Sequence, residues 1–371
     1  MAPPLPPTIS LHVGGTPGTT GEPLSASWLR LLRSLEIESG VREQAIFRLK
    51  FALGMEASGD WLEGADRLFT PLKRVQIDVR LENRKQRLLN GYVTQFKLNL
   101  QADPCQSELE VVGLDALEKL KRTQTRGSYR GQPLRSVVGR LLAAQDISLA
   151  QRGVPDTGVP NPNREQTSQA QNDLEFLRGL ADQHGCEVYV ESAGDTDEGH
   201  FAPLSLASAS RHDQPLVVQD SQGVHVRSAS FYYDLSGPTV VEARAVDATG
   251  RELSPPVRVA LRTLLGPDDQ RLLGPPGFEN VRQLQGHGGE SRAELERRCR
   301  AELDKLSWLV IAKGEIETSD YRDVLVPRRR VEVRGAARAF SGPYLVWKVA
   351  HHFTRERHCQ RFELRRQLGV H

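Results

Sequence analysis

The chain has 371 residues, room for about two or three domains with sizeable cores. Hydrophobic residues make up 38% and charged residues 26%, the balance of a chain that folds, and 49 basic against 47 acidic residues leave a net charge of +2, too even for a dedicated nucleic-acid binder. No apolar run approaches the ~20 residues of a membrane-spanning helix; the proline-rich start MAPPLPPT lacks the regions of a secretory signal; and four scattered cysteines (Cys105, Cys186, Cys299, Cys359) without a CxxC pair point to a reducing compartment.

Residues 1–7 read as a flexible arm. Ile9, Leu11 and Val13 then alternate as in a strand. Residues 14–21 are glycine-rich, but they lack both the Lys-Ser/Thr pair of a phosphate loop and GxGxxG spacing, so a mobile loop is expected. Two runs flanking Gly40 (Leu35, Ile37; Phe47, Leu49, Phe51) alternate with charge and predict a strand pair with one wet face. Residues 75–81 repeat that pattern, and strands are expected over 89–100 and 108–112. The period changes at Leu114: Leu114, Leu117, Leu120 and Lys121 have helical spacing. Pro133 then opens a second helix with the stripe Leu134, Val137, Val138, Leu141, Leu142. Residues 153–166 read as a loop. Asn172 with Glu175 predicts a capped helix that buries Leu174, Leu177, Leu180 and Ala181 and stops at Gly185, before a strand over 186–190.

Strands are expected over 224–233, 239–246 and 257–261, then a loop over 264–289. A helix from Ser291 to Leu306 uses Leu295, Cys299, Leu303 and Leu306. Strand character returns over 308–316, runs on through 321–326, and ends in three strands at 331–333, 344–352 and 360–364. In the middle one of these, Leu345, Trp347 and Val349 share one face and Val346, Lys348 and Ala350 the other.

Candidate chemistry is sparse. His351, His352, His358 and Cys359 flank one hairpin turn, but neighbours on a strand point to opposite faces. Only one of the first two and one of the last two can meet, which is two ligands short of a zinc site. Asp195, Asp197, Glu198 and Gly199 form half a calcium loop and read as an acidic surface turn. His184 lies beside a helix C-cap, where a partly protonated imidazole suits the dipole. Glu315/Glu317 and Asp320/Asp323 could in principle serve a glycosidase, but a solvated face is the simpler reading. The arginines Arg328, Arg329, Arg330, Arg334, Arg338, Arg355, Arg357, Arg361, Arg365 and Arg366 are the one charge bias. They suit a channel wall, an acidic partner or a solubilising rim.

Four stretches in order resemble the baseplate hub proteins of contractile tails, a family that includes the phage late control protein D group, the hubs of extracellular injection particles and the N-terminal hub part of VgrG spike proteins. They are Leu68-Phe69-Thr70-Pro71 with Gly91-Tyr92-Val93-Thr94; residues 111–120 with the helix at 133–145; Asn172-Asp173-Leu174-Glu175-Phe176-Leu177-Arg178 with Leu180-Ala181; and Val331-Glu332-Val333 with Phe340-Ser341-Gly342-Pro343-Tyr344-Leu345-Val346, Val349 and His351. The resemblance covers roughly residues 30–200 and 305–369; 264–289 has no counterpart. Spike-fused members continue into a further barrel and needle, so a separate spike polypeptide is expected.

The expected fold is α+β, mainly β. Two tube-like antiparallel β-barrels (residues 1–113 and 216–371, the second interrupted at about 264–307) enclose a helical connector and small α+β insertion at 114–215. The resemblance implies a structural hub: a homotrimeric, pseudo-sixfold ring between a hexameric inner tube and a trimeric spike. Its expected partners are itself, spike, tube, other baseplate proteins and the tape measure, with no membrane and nucleic acid only in lumenal passage. No catalytic residue, cofactor or metal is expected. Assembly would be in the bacterial cytoplasm, within a phage tail or a releasable phage-tail-like particle. The rivals are a cell-wall hydrolase of the same machinery and a nucleic-acid-binding protein.

Overall fold

The computed structural model describes residues 8–53, 64–81, 84–125, 127–129, 131–156, 168–169, 171–219, 223–246, 252–275, 277, 279–285 and 292–369. The expected N-terminal arm, most of the 153–166 loop and Ser291 lie outside these residues. The first part holds β1 (Thr8–Val13), β2 (Glu22–Pro23), α1 (Ala26–Leu31), β3 (Leu32–Gly40), β4 (Ile46–Ala52), α2 (Ala65–Leu68), β5 (Arg74–Leu81), β6 (Arg84–Asn99) and β7 (Glu108–Leu114). The middle holds α3 (Leu117–Arg122), β8 (Gly127–Ser128), α4 (Leu134–Ala143), β9 (Ser148–Leu149), β10 (Ser168–Gln169), α5 (Asp173–Gln183), β11 (Glu187–Ala193) and β12 (Thr196–Ala202). Then come β13 (Leu216–Val217), β14 (Val226–Tyr233), β15 (Val240–Val246), β16 (Glu252–Ala260), α6 (Pro267–Gln270), β17 (Val281–Gln285), α7 (Arg292–Leu306), β18 (Val310–Glu317), α8 (Thr318–Tyr321), β19 (Arg330–Arg334), β20 (Gly342–Phe353) and β21 (His358–Arg366).

Thirteen strands form one sheet in the order β14-β18-β21-β20-β3-β4-β7-β6-β5-β1-β2, with β19 on β20 and β13 on β19. The fold is mainly β, as the alternating runs predict. In β4 the odd residues Phe47, Leu49 and Phe51 are fully buried while Ile46, Arg48 and Lys50 are half-exposed. Their face joins Leu11, Leu35, Ile37, Ile77, Val93 and Val111 in one core, so the first half of the sheet curls around its own interior. Phe47 lies against two strands that carry no side chain there: a Cβ on Gly91 or Gly113 would come within 2.4 or 2.3 Å of its ring. A second core gathers Val310, Ile316, Val331, Val333, Tyr344, Val346, Phe362 and Leu364 with Leu295, Cys299 and Leu303 of α7. The insertion has a third core from the predicted stripes of α4 and α5, completed by Tyr92 from β6. Asn172 accepts from the Glu175 amide at 2.9 Å, and Gly185 has φ +66, as the cap reading requires.

The two halves of the large sheet are built alike. In chain order, β3, β4, β5, β6 and β7 correspond to β14, β18, β19, β20 and β21, and their spatial orders, β5-β6-β7-β4-β3 and β19-β20-β21-β18-β14, are the same. The irregularities coincide as well. A bulge sits at Arg33 in β3 and at Arg227 in β14; another sits at Thr94 in β6 and at Trp347 in β20. Leu72 and Arg328, each after a proline, both have left-handed φ (59 and 66) and bond alike: Leu72 N to Val93 O, Arg328 N to Val346 O. The two halves meet where β3 pairs antiparallel with β20, Ile37 opposite His351 and Leu35 opposite Phe353.

Several expectations need correction. The 264–289 loop contains α6 and a strand: β17 pairs parallel with β15, and with β16 they make a separate sheet. VRQLQ has too few apolar residues to announce a strand; the ladder of β15 forms it. Residues 322–326 form no strand; α8 precedes them. Simple alternation in β20 fails at the Trp347 bulge, so Leu345 packs with Trp308 and Trp347 in a small cluster while Val346 and Val349 enter the second core. The expected wet face of β5 is wet only at Arg80: Arg74, Gln76 and Asp78 are buried.

Candidate functional site

That second face of β5 is a joint. The turn between β11 and β12 lies on it, so the supposed acidic surface turn is an internal contact. The Tyr92 hydroxyl and Asn90 Nδ2 donate to Asp197 at 2.7 and 3.1 Å. Gln76 Nε2 donates to the Asp195 carboxylate at 2.9 Å, and Arg74 Nη2 to its carbonyl at 2.7 Å. Arg87 braces Asp78 from the side at 2.5 Å. Burial, then the Asp197 charge, pushes the Tyr92 phenol up, so it stays a donor. The glycine-rich loop is fastened here as well: Gly21 N donates to Gln76 Oε1 at 2.7 Å and Thr20 Oγ1 to Asp195 at 2.7 Å. The Thr20 bond foremost, then Gln76 and Arg87, holds the Asp195 carboxyl below its usual range. The mobile-loop reading failed because its partners lie far away in the chain.

A second joint is Arg328. Its Nη2 donates to the Gly40 and Val41 carbonyls at 2.7 and 3.0 Å, and its guanidinium stacks 4.1 Å from the Tyr189 ring, itself stacked on His200. One side chain thus ties the insertion to both halves of the sheet. The other arginines divide. Arg366 is buried over Tyr344 and bonds the Ala339 and Ser341 carbonyls; Arg365 lies over Trp347; Arg329, Arg334, Arg338, Arg355, Arg357 and Arg361 are exposed.

The terminal histidines fall as strand alternation requires. His351 and His358 turn inward and meet, Nδ1 to Nε2, at 3.1 Å, while His352 lies opposite Cys359 on the other face. Thr318 Oγ1 contacts His358 Nδ1 at 2.8 Å, Gln360 Nε2 donates to Thr318 at 2.7 Å, and Phe353 stacks on His358. Burial pushes the His351 imidazole down to about 4, and burial with His351 and His352 takes His358 well below its ordinary value. The pair is neutral and structural. Among the described residues no group of three or more His, Cys, Asp or Glu is placed to hold a metal. Burial and then the Arg297 charge lower the His184 imidazole, which works against the partial protonation expected beside the helix end.

The carboxylates form no acid–base pair. Glu315 binds Arg361 at 3.1 Å and Glu317 binds Arg227 at 2.6 Å, a charged outer face. Asp323 is buried, bound by Arg84 and by His212 at 3.5 Å, and Asp320 is exposed. A cleft between α5, β11, β17 and α7 has its three acids already paired: Glu187 with Arg42, Asp182 with Lys305, Glu302 with Arg282.

What stays open is strand edge. β14 pairs only with β18, and β6 beyond Val93 pairs only with β7, among the described residues. An unpaired edge is a template for another strand. The repeat that defines these edges was missed in the sequence, although Pro71-Leu72-Lys73-Arg74-Val75-Gln76-Ile77 and Pro327-Arg328-Arg329-Arg330-Val331-Glu332-Val333 carry it. No helix among the described residues is long and apolar enough to cross a membrane.

Two solved tail proteins share the fold from end to end. One, from Neisseria meningitidis MC58, is 13% identical, with 97% of this chain and 96% of that one covered at a TM-score of 0.65. The other, the 43 kDa tail protein of prophage MuSo2 from Shewanella oneidensis, is 12% identical, with 96% and 98% covered at 0.66. A chain of the Francisella PdpA-VgrG complex matches at 10% identity and 0.57, over 97% of this chain and 57% of that one. No curated protein sequence matches. Residues 62–357 match the family described as phage tail baseplate hub (GPD), and with most of its length inside that match the chain belongs to this family of structural baseplate hubs.

Proposed function

We propose that three copies close into a pseudo-sixfold ring that seats a sixfold inner tube on one side and a threefold spike on the other. The observation that carries this reading is the duplication: one continuous sheet made of two equivalent five-strand halves. Three such chains present six like units, and a ring of six can meet a sixfold tube while its chain symmetry stays threefold. The units are assigned as 1–113 and 216–371, with 114–215 as the insertion between them. The role is mechanical, without catalysis, cofactor or metal: to join tube, spike and neighbouring baseplate proteins in a tail assembled in the bacterial cytoplasm. The bonds from Arg74 and Gln76 to Asp195 and from Asn90 and Tyr92 to Asp197 support it, because force crossing the insertion needs a stiff joint. No observation favours the hydrolase or the nucleic-acid reading. Images of purified particles test the proposal: the chain is expected at the tube–spike junction with threefold symmetry. Its absence there, or any other symmetry, sinks the reading.

A further inference from the structure

We propose that the open edge of β14 pairs antiparallel with residues 95–100 of a second copy of this chain, in the register that β3 uses on β20. This rests on the ring reading and supplies its contact. Inside the chain, β3 of the first half lies on the far end of β20. The counterpart of β3 is β14, and the counterpart of that end of β20 is the stretch of β6 just past the Thr94 bulge. One junction of this kind is made; the other lacks its partner.

The ladders fix the register. Gln95 follows its bulge as Lys348 does, so Leu98 stands where His351 stands and Leu100 where Phe353 stands. Leu35 and Ala229 lie opposite the equivalent Leu49 and Gly314, and Ile37 and Phe231 opposite Phe47 and Ala312. The internal pairs Ile37–His351 and Leu35–Phe353 therefore translate into Phe231–Leu98 and Ala229–Leu100 between copies.

Burial marks the missing neighbour. Where the junction is made, Leu35, Ile37, His351 and Phe353 are 0–3% exposed. At the unmade one, Ala229 is exposed, Phe231 and Leu98 are half-buried, and Leu100 is 51% exposed. The same contact would cover an apolar side chain that water now touches and satisfy two rows of unpaired backbone groups. Joining one edge to a different edge makes a head-to-tail contact, which is not a twofold dimer and gives a ring where the rotation between copies closes.

The test is disulfide trapping in the full chain. Cys105→Ser and Cys359→Ser give a background without the accessible thiols. Into it go Leu98→Cys with Phe231→Cys, two half-buried edge positions, and far-ultraviolet circular dichroism of the reduced variant checks that it still folds. Facing residues of an antiparallel pair lie ~4.5–5.5 Å apart, within disulfide reach. Mild oxidation is expected to give covalent species that stop at the closed ring, at least tenfold more than the off-register pair Leu98→Cys with Tyr233→Cys. A trimer by light scattering without this cross-link overturns the junction and leaves the ring. Cross-linking by Phe231→Cys alone, a β14-to-β14 dimer, overturns both, and so does a monomer with no cross-link at any concentration.

Discussion

Acid should unfold this protein through the His351–His358 pair. One tautomer arrangement satisfies every atom: Thr318 donates to His358 Nδ1, His358 Nε2–H donates to His351 Nδ1, and His351 bonds the backbone at Leu325. A further proton on His351 sets two N–H groups face to face, without solvent. The native state therefore resists a proton that the unfolded chain accepts at 6.5, and His351 takes it up only at about 4. Because the native pKa is depressed, the pair's contribution is complete above 6.5, falls as pH drops from 6.5 towards 4, and levels off below. At about 1.4 kcal/mol per pH unit, His351 alone removes about 3 kcal/mol across that window. Urea unfolding of the wild type and of the double variant His351→Gln, His358→Gln, at half-unit steps from pH 7 to pH 4, isolates this share from that of the carboxylates. Because His358 is lowered as well, the difference between the two stability curves should change by at least that amount across the window. Parallel curves would refute the reasoning, whatever the variant's absolute stability.

Two further substitutions probe the packing. Gly91→Ala places a methyl 2.4 Å from the Phe47 ring, in a strand with a neighbour on each side, and should cost about 3 kcal/mol, measured as a lower urea midpoint with an unchanged m-value; Gly91→Ala combined with Phe47→Leu should recover part of it, and a neutral Gly91→Ala would contradict the close approach. Arg328→Lys loses the forked bonds to Gly40 and Val41 and the stack on Tyr189, and should cost about 2 kcal/mol while raising amide exchange in β11; equal exchange in wild type and variant would show that Arg328 does not anchor the insertion.

Local periodicity carried much of this fold. Phe47-Leu49-Phe51, the stripe Leu134 to Leu142 and the Asn172 cap each depend on a spacing of two to four residues, which a single sequence displays. What stayed hidden depends on distant partners. The buried polar face of β5 reads as a wet face until Asp195, about 120 residues on, is laid over it. β17 is a strand because β15 accepts it, and the Trp347 bulge reverses an alternation that looked regular. Alternation alone limited the terminal hairpin to one of His351 and His352 meeting one of His358 and Cys359; which two meet, and their neutrality, come from register and burial.

The duplication also explains which apolar side chains stand exposed. Leu72 is 41% exposed; its counterpart Arg328 is the anchor under Tyr189. Leu100 is 51% exposed; its counterpart Phe353 is buried beneath β3. In each case the second half has met a neighbour, the insertion or the first half, and the first half has not. Isolated surface leucines need no explanation in a single fold. Two that coincide with covered positions of an equivalent unit do, because the backbone around them is already shaped for the contact. The side chains have diverged as the neighbours differ: a cation where the neighbour offers an aromatic ring, a leucine where the second copy offers a strand with Ala229 and Phe231. On this reading the first half keeps an acceptor edge and the second half a donor edge. One chain then satisfies one junction within itself and leaves one for its neighbour, which makes the ring's contact sites alternate between covalently tethered and free.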